Sequence, residues 1–342
     1  MSADTRLTVR GIIEAQAPGA PALLAPGRAA MSYAGLLAQV DRTVAALNAC
    51  GIGRRDRLAT VLSNGPEMAA AFLSIAAGAV CAPLNPAYRE AEFDFYLSDL
   101  EPKAMVVEQG ASSPAIAAAE ARGIPILYLC PLAEEPAGSF RLEHGLGPTR
   151  AVHAGPAEPE DVALVLHTSG TTSRPKQVPL THANLCHSAG HIRRALELTA
   201  ADRCLNVMPL FHIHGLGAAV LASLASGSSV VCTPGFYAPR FFEWLATFQP
   251  TWYTAVPTMH QAILARAGGQ EPVQSLRFIR SCSAALPPRV CAELERVFSV
   301  PVIESYGMTE AAHQMTSNPL PPGRAQTGLG GPRRRSRSRH HE

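Results

Sequence analysis

An apolar run rich in branched residues, Val162-Ala163-Leu164-Val165-Leu166, leads into nine residues dense in hydroxyls, Thr168-Ser169-Gly170-Thr171-Thr172-Ser173-Arg174-Pro175-Lys176. The run has the pattern of a strand buried on both faces in a parallel sheet. Beyond the loop, Thr181 offers a hydroxyl N-cap to a helical stretch reaching about Leu198. The loop is therefore expected between strand and helix of an α/β fold. Gly170 lets the backbone approach a ligand, hydroxyls and amides donate to anionic oxygens, and Lys176 supplies a point charge. That chemistry suits phosphate. It is not the common mononucleotide loop, because Pro175, Lys176 and Gln177 stand where Gly, Lys and Ser or Thr would be needed. Such composition also describes a plain solvated turn, so the order of residues must decide.

On both sides of the loop, helical and strand patterns alternate. Leu36, Leu37, Val40, Val44 and Leu47 mark one face of a helix from Tyr33 to Cys50, ended by Gly51. Strands are expected at Leu58 to Leu62, Lys103 to Glu108 and Ile124 to Cys130, with helices at about Pro66 to Gly78, Glu90 to Leu100 and Ala115 to Arg122. Ala82 to Pro86 reads as a turn, and Pro131 to Glu160 as a surface connection. Further on, strands are expected at Cys204 to Met208, Ser229 to Cys232, Thr251 to Val256, Leu276 to Ser281 and Val302 to Glu304. The intervening helices are Leu216 to Ala225, Arg240 to Phe248, Thr258 to Ala267 and Pro288 to Phe298. The pattern predicts two doubly wound α/β subdomains, about 1–150 and 160–323, of one domain.

Ligands in such folds collect where loops leave the carboxyl ends of strands, and three motifs lie there. In Met208-Pro209-Leu210-Phe211-His212-Ile213-His214-Gly215 the two histidines can face one metal, or simply pack at a helix start. Ser281-Cys282-Ser283-Ala284-Ala285 is built of small residues, which permit a flat base against backbone or mean tight packing alone. In Glu304-Ser305-Tyr306-Gly307-Met308-Thr309-Glu310, Tyr306 can stack on a purine, Thr309 can donate to a phosphate, and Glu310 offers a hard oxygen to Mg²⁺.

The order TSGTTSRPKQVPLTH, followed downstream by YGMTE, resembles the signatures of the adenylate-forming superfamily, which includes acyl-CoA synthetases, luciferases and peptide-synthetase adenylation domains. Ser173 and Gln177 stand where many members carry Gly. The resemblance covers roughly residues 10 to 323. It implies activation of a carboxylate by ATP, with Mg²⁺, to an acyl-adenylate, then transfer to the thiol of coenzyme A. It places Thr168, Ser169, Gly170, Thr171, Thr172 and Lys176 on the phosphates, Tyr306 and Gly307 with Ala284 and Ala285 at adenine, and Thr309 on a phosphate. Glu310 would hold the metal, and His212 would line the passage from acyl pocket to thiol.

The run EAAHQMTSNPLPPG, with Ser173, is similar to the oxalate-CoA ligase branch. His214, Ser283 and His313 are then the residues bordering the acid. A hydrogen-bonding His313 suits a small dicarboxylate, whose far carboxylate would otherwise be buried without a partner. A medium- or long-chain fatty acyl ligase, with an apolar tunnel in that place, is the rival in the same class. A surface role for His313 and a catalytically inactive nucleotide-binding remnant are further alternatives.

The family continues with an aspartate on the ribose, a hinge and a C-terminal lid whose lysine contacts the adenylate, and this sequence has none of them. The expectation is an N-terminal domain whose turnover is slow or absent, with CoA chemistry only where a lid is supplied. Residues 324–342 are Arg-rich, lack apolar periodicity and are expected to be disordered. They hold six of the 29 basic side chains and one of the 27 acids, so the rest of the chain carries a net −3. That body has no electrostatic reason to seek nucleic acid, and the short tail is a weak signal for RNA.

Eight cysteines without a CxxC pair, and no apolar signal core, point to free thiols in the cytosol. A length of 342 residues, 47% hydrophobic and 16% charged, is enough for a large core with no membrane span. The sequence carries no signature of an oligomeric state.

Overall fold

The computed structural model describes residues 7–168, 175–268 and 274–323. Its strands are β1 (Pro21–Leu24), β2 (Met31–Ser32), β3 (Arg57–Val61), β4 (Val80–Pro83), β5 (Ala104–Glu108), β6 (Ile126–Pro131), β7 (Phe140–His144), β8 (Val162–Thr168) and β9 (Lys176–Thr181). They continue with β10 (Arg203–Asn206), β11 (Ser229–Cys232), β12 (Trp252–Ala255), β13 (Phe278–Ser281), β14 (Val302–Met308) and β15 (His313–Ser317). One sheet runs β7-β6-β5-β3-β4-β8-β9 and the other β15-β14-β13-β12-β10-β11-β1-β2. The central strands of each are parallel and the edges antiparallel.

The α/β class expected from the alternation is what the chain forms, as two sheets with helices between and around them. The sheets do not divide the chain at 150–160. β1 pairs in parallel with β11, Leu23 opposite Val230, while β8 and β9 belong to the sheet of β3 to β7. The helix Pro66–Ala76 is buried at every position except Glu67 and packs against β4 of one sheet and β11 of the other. Its alanines let three layers approach closely, and apolar burial on this scale is the main stabilising term.

Local rules account for most element ends. The helix Tyr33–Ala49 starts at Ser32, whose hydroxyl accepts from the Gly35 amide at 3.1 Å. It buries Leu36, Val40, Val44 and Leu47 and is closed by Gly51 at φ 84°. Other segments depart from the sequence reading. Residues 80–83 pair as β4 where a turn was expected over 82–86, and β7 forms inside the expected surface connection. The helix expected from Leu216 is a π-helical turn, His214–Leu221, continued by Ala222–Leu224.

All eight cysteines are free, seven of them buried and Cys291 half-buried. Burial pushes the Cys81, Cys186 and Cys232 thiols up to about 12. Among the described residues, no helix is long and apolar enough to cross a membrane.

Candidate active site

The phosphate-type loop leaves β8 and returns as β9. Thr168 lies opposite Lys176, so the loop closes an antiparallel hairpin rather than joining strand to helix, which corrects the sequence reading. Thr181 does cap the helix His182–Ala195 that follows, accepting from the Asn184 amide at 3.2 Å while the Asn184 side chain accepts from the Thr181 amide. Ser169, Gly170, Thr171 and Thr172 lie outside the described residues, as does the tail from Arg324. The hairpin is braced from the helix Glu90–Leu100. Asp99 shares a hydrogen bond with His167 Nε2 at 2.9 Å and accepts from Gln177 Nε2 at 2.8 Å. Partial burial alone would raise the Asp99 carboxyl, but the bonds from His167 and Gln177 outweigh it and hold it below its ordinary value.

The second motif forms the β14–β15 hairpin, a feature the sequence did not reveal. Tyr306 sits opposite Thr316, and the register shifts between Tyr306 and Gly307. A Cβ on Gly307 would run into the backbone carbonyl of His313, so this glycine is required by close strand approach. The Tyr306 ring is 45% exposed, with Met308 and Met315 also at the surface. Thr309 and Glu310 occupy the turn, and Thr168 Oγ1 donates to Glu310 Oε1 at 3.4 Å. The two signatures therefore meet in space. The Ser188 hydroxyl anchors this turn by donating to the Ala312 carbonyl at 2.6 Å.

The third group centres on two buried histidines, with Ser283 exposed beside them. His214 opens the π-helical turn with Nδ1 3.0 Å from Ser283 Oγ and Nε2 2.6 Å from Thr254 Oγ1. Its ring centre is 5.1 Å from that of His313, and each histidine is 2% exposed. Ser283 is held at φ 73° and His313 at φ 105°, left-handed backbone that side chains rarely adopt and that clusters at functional sites. Burial, with Arg280 nearby, holds both histidines well below their ordinary pKa.

Of the residues named from sequence, Thr168 and Glu310 touch, His214 touches Ser283, and the His313 ring lies tilted beside that of His214. Ala284 and Ala285 are exposed beside Ser283, and Lys176 is exposed at the start of β9. His212 is exposed, its ring 4.6 Å from that of Phe211, apart from the buried His214. Both His214 nitrogens face hydroxyls, so the arrangement does not make the paired histidines a metal site. Among the described residues, no group of three His, Cys, Asp or Glu is arranged to hold a metal ion.

Sequence reasoning missed Asp99, Thr254, Gln314 and Arg280. Arg280 is fully buried in β13, among strands where a lone charge was the available signal.

The family model described as AMP-binding enzyme matches residues 13–336. A probable CoA ligase, CCL9, of Humulus lupulus is 43% identical over 88% of this chain and 58% of its own length. An oxalate-CoA ligase of Arabidopsis thaliana is 41% identical over 92% of this chain and 63% of its own. Among solved structures, apo MatB from Rhodopseudomonas palustris superposes with a TM-score of 0.80 at 27% identity, over 94% of this chain and 63% of that one. ATP-bound MatB superposes at 0.77 with 28% identity, over 92% and 62%. This chain thus spans less than two thirds of the length of each of these relatives.

Proposed function

The chain belongs to the AMP-binding enzyme family, and from that premise we propose that it is the adenylating part of an acid-thiol ligase whose acid is oxalate or a similarly small dicarboxylate. The observation that carries the choice of acid is the polar wall made by the buried His214 and His313 with the exposed Ser283 beside them. A fatty acyl chain against it would meet hydrogen-bonding groups with none of its own, and each polar group it strips of water without a partner costs about 1–3 kcal/mol. A second carboxylate would satisfy them. The names of the oxalate-CoA ligase relatives point the same way.

In this reading Thr168 and Lys176, with Ser169, Gly170, Thr171 and Thr172 between them, cradle the β- and γ-phosphates of ATP. The exposed Tyr306 ring stacks on adenine against Ala284 and Ala285, with Gly307 keeping the hairpin thin beneath it. Thr309 donates to a phosphate. Glu310 fits a Mg²⁺ ligand: it is exposed, adjoins Thr168, and has no cationic partner among the described residues. The metal would supply charge neutralisation at the phosphates. A carboxylate oxygen of the acid attacks the α-phosphorus, the bond to the bridging oxygen breaks, and pyrophosphate leaves. Donors fixed toward developing negative charge are the main source of rate in such a step. Coenzyme A then attacks the acyl carbon through the passage beside His212, releasing AMP. Eight unpaired thiols suit the reducing cytosol as the compartment.

ATP-pyrophosphate exchange with oxalate, malonate and octanoate, run beside a Lys176→Ala, Glu310→Ala double variant, tests this. Exchange above the variant with oxalate or malonate is expected. Exchange with octanoate and neither diacid would overturn the choice of acid.

A further inference from the structure

Arg280 lies in β13 between β12 and β14 and is fully buried, yet no carboxylate among the described residues pairs with it. The nearest carboxylate on the neighbouring strand, Glu304, stands opposite Ser281 and so on the other face of the sheet, where it accepts from the Leu286 amide at 3.1 Å. Instead Arg280 Nη1 faces His214 Nε2 at 3.4 Å and Thr254 Oγ1 at 3.3 Å. Its Nη2 faces His313 Nδ1 at 3.5 Å and donates to Gln314 Oε1 at 3.2 Å, while Nε has no partner. A buried cation left this way costs stability, and folds retain such a charge when it has work to do.

A guanidinium is always protonated and only donates. The ring nitrogens it faces must therefore be the bare ones. His214 then carries its proton on Nδ1 and donates it to Ser283 Oγ at 3.0 Å, which frees the serine hydroxyl hydrogen for a ligand. His313 carries its proton on Nε2. At 3.4 and 3.5 Å the guanidinium acts on the rings more by its field than by strong bonds.

We propose that Arg280 is a positioning residue that fixes both histidine tautomers, so that the acid meets donors only, under a permanent positive charge, and a second carboxylate becomes the selected feature. This rests on the dicarboxylate reading above. Selection in such a site is a matter of fixed charge, independent of pH near neutrality. The titratable groups whose charge would act on His214 are His313 of β15, Arg280 of β13, His260 of the helix Pro257–Leu264 and the more distant His212, and those beside His313 are Arg280 and Cys282. No carboxylate is among them.

Oxalate binding by the full chain, measured calorimetrically at pH 5.5, 6.5 and 8.0, tests the assignment. The unaltered chain should bind with little change across this range, in which oxalate stays a dianion. Arg280→Met should weaken binding roughly ten- to hundredfold at pH 8.0, the size expected for lost charge-assisted bonds. Its affinity should recover in part as pH falls, because without Arg280 the bound dianion itself favours protonation of the histidines against the cost of their burial. Arg280→Lys keeps the charge and should restore the flat profile at intermediate affinity. Without oxalate, Arg280→Met should melt no lower than the unaltered chain.

Equal, pH-independent affinity in Arg280→Met would overturn this inference and leave the dicarboxylate reading standing. An unaltered chain that binds neither oxalate nor malonate would overturn both. A reading that needs no variant is ¹⁵N NMR of labelled histidines at pH 7. Neutral Nδ1–H at His214 and Nε2–H at His313 are expected, and an imidazolium or the opposite tautomer at either would overturn the assignment.

Discussion

His182 shows how one buried side chain ties stability to pH. Its Nδ1 accepts from the Val9 amide at 3.1 Å, an acceptance open only to the neutral ring. Burial lowers its pKa to about 4, and lowers that of His260 to about 4 as well. The unfolded chain, with ordinary histidines near 6.5, binds more protons between those values than the native chain does. Stability is therefore full above pH 6.5 and falls as pH drops toward 4, by roughly 3 kcal/mol per histidine at most. Urea unfolding at pH 7 and pH 5 should show that loss, and His182→Asn should flatten part of it; an unchanged slope would refute the assignment. At this scale the candidate site was largely legible, because Tyr306, Glu310, His214 and His313 belong to motifs with a recognisable order. Arg280 was not legible. Its role comes from neighbours supplied by β12, β15 and the turn at His214, none adjacent to it in sequence.

Among elements, most helices and buried parallel strands announced themselves through apolar periodicity, but the parallel strands β1 and β4 did not, and neither did the hairpin strands. β9 contains Pro179, which an edge strand tolerates, and β15 reads His-Gln-Met-Thr-Ser, with no apolar alternation to betray it. Both hairpins are held by particular contacts instead of by pattern. Asp99→Ala removes the brace beneath the β8–β9 hairpin and should weaken ATP binding several-fold. Its effect on stability should be within about 1 kcal/mol, since these bonds lie near the surface. Calorimetric ATP titration beside a melting curve separates the two, and unchanged ATP affinity would dismiss the brace. Gly307→Ala should force β14 away from β15, costing about 1–3 kcal/mol in chemical denaturation, with nucleotide binding reduced alongside. A fully stable Gly307→Ala would mean the strands can separate without strain.

Over the whole molecule, the α/β class was legible from alternation, and the assignment of strands to sheets was not, because that depends on pairings between distant parts of the chain. Tyr33 illustrates the distance. Its hydroxyl donates to the Ser228 carbonyl at 2.6 Å, tying the first long helix to the turn before β11. Tyr33→Phe should leave that carbonyl unmet and lower the unfolding free energy by about 1–2 kcal/mol. Equilibrium denaturation is the check, and no loss would show that the carbonyl finds another donor.

The parallel pairing of β1 with β11 also sets an order in time. On a ribosome adding about 5–20 residues per second, β1 is made roughly 10–40 s before β11 exists. The earliest of the described strands must wait, with only the two-residue β2 beside it and its other edge open, for most of the others to be synthesised.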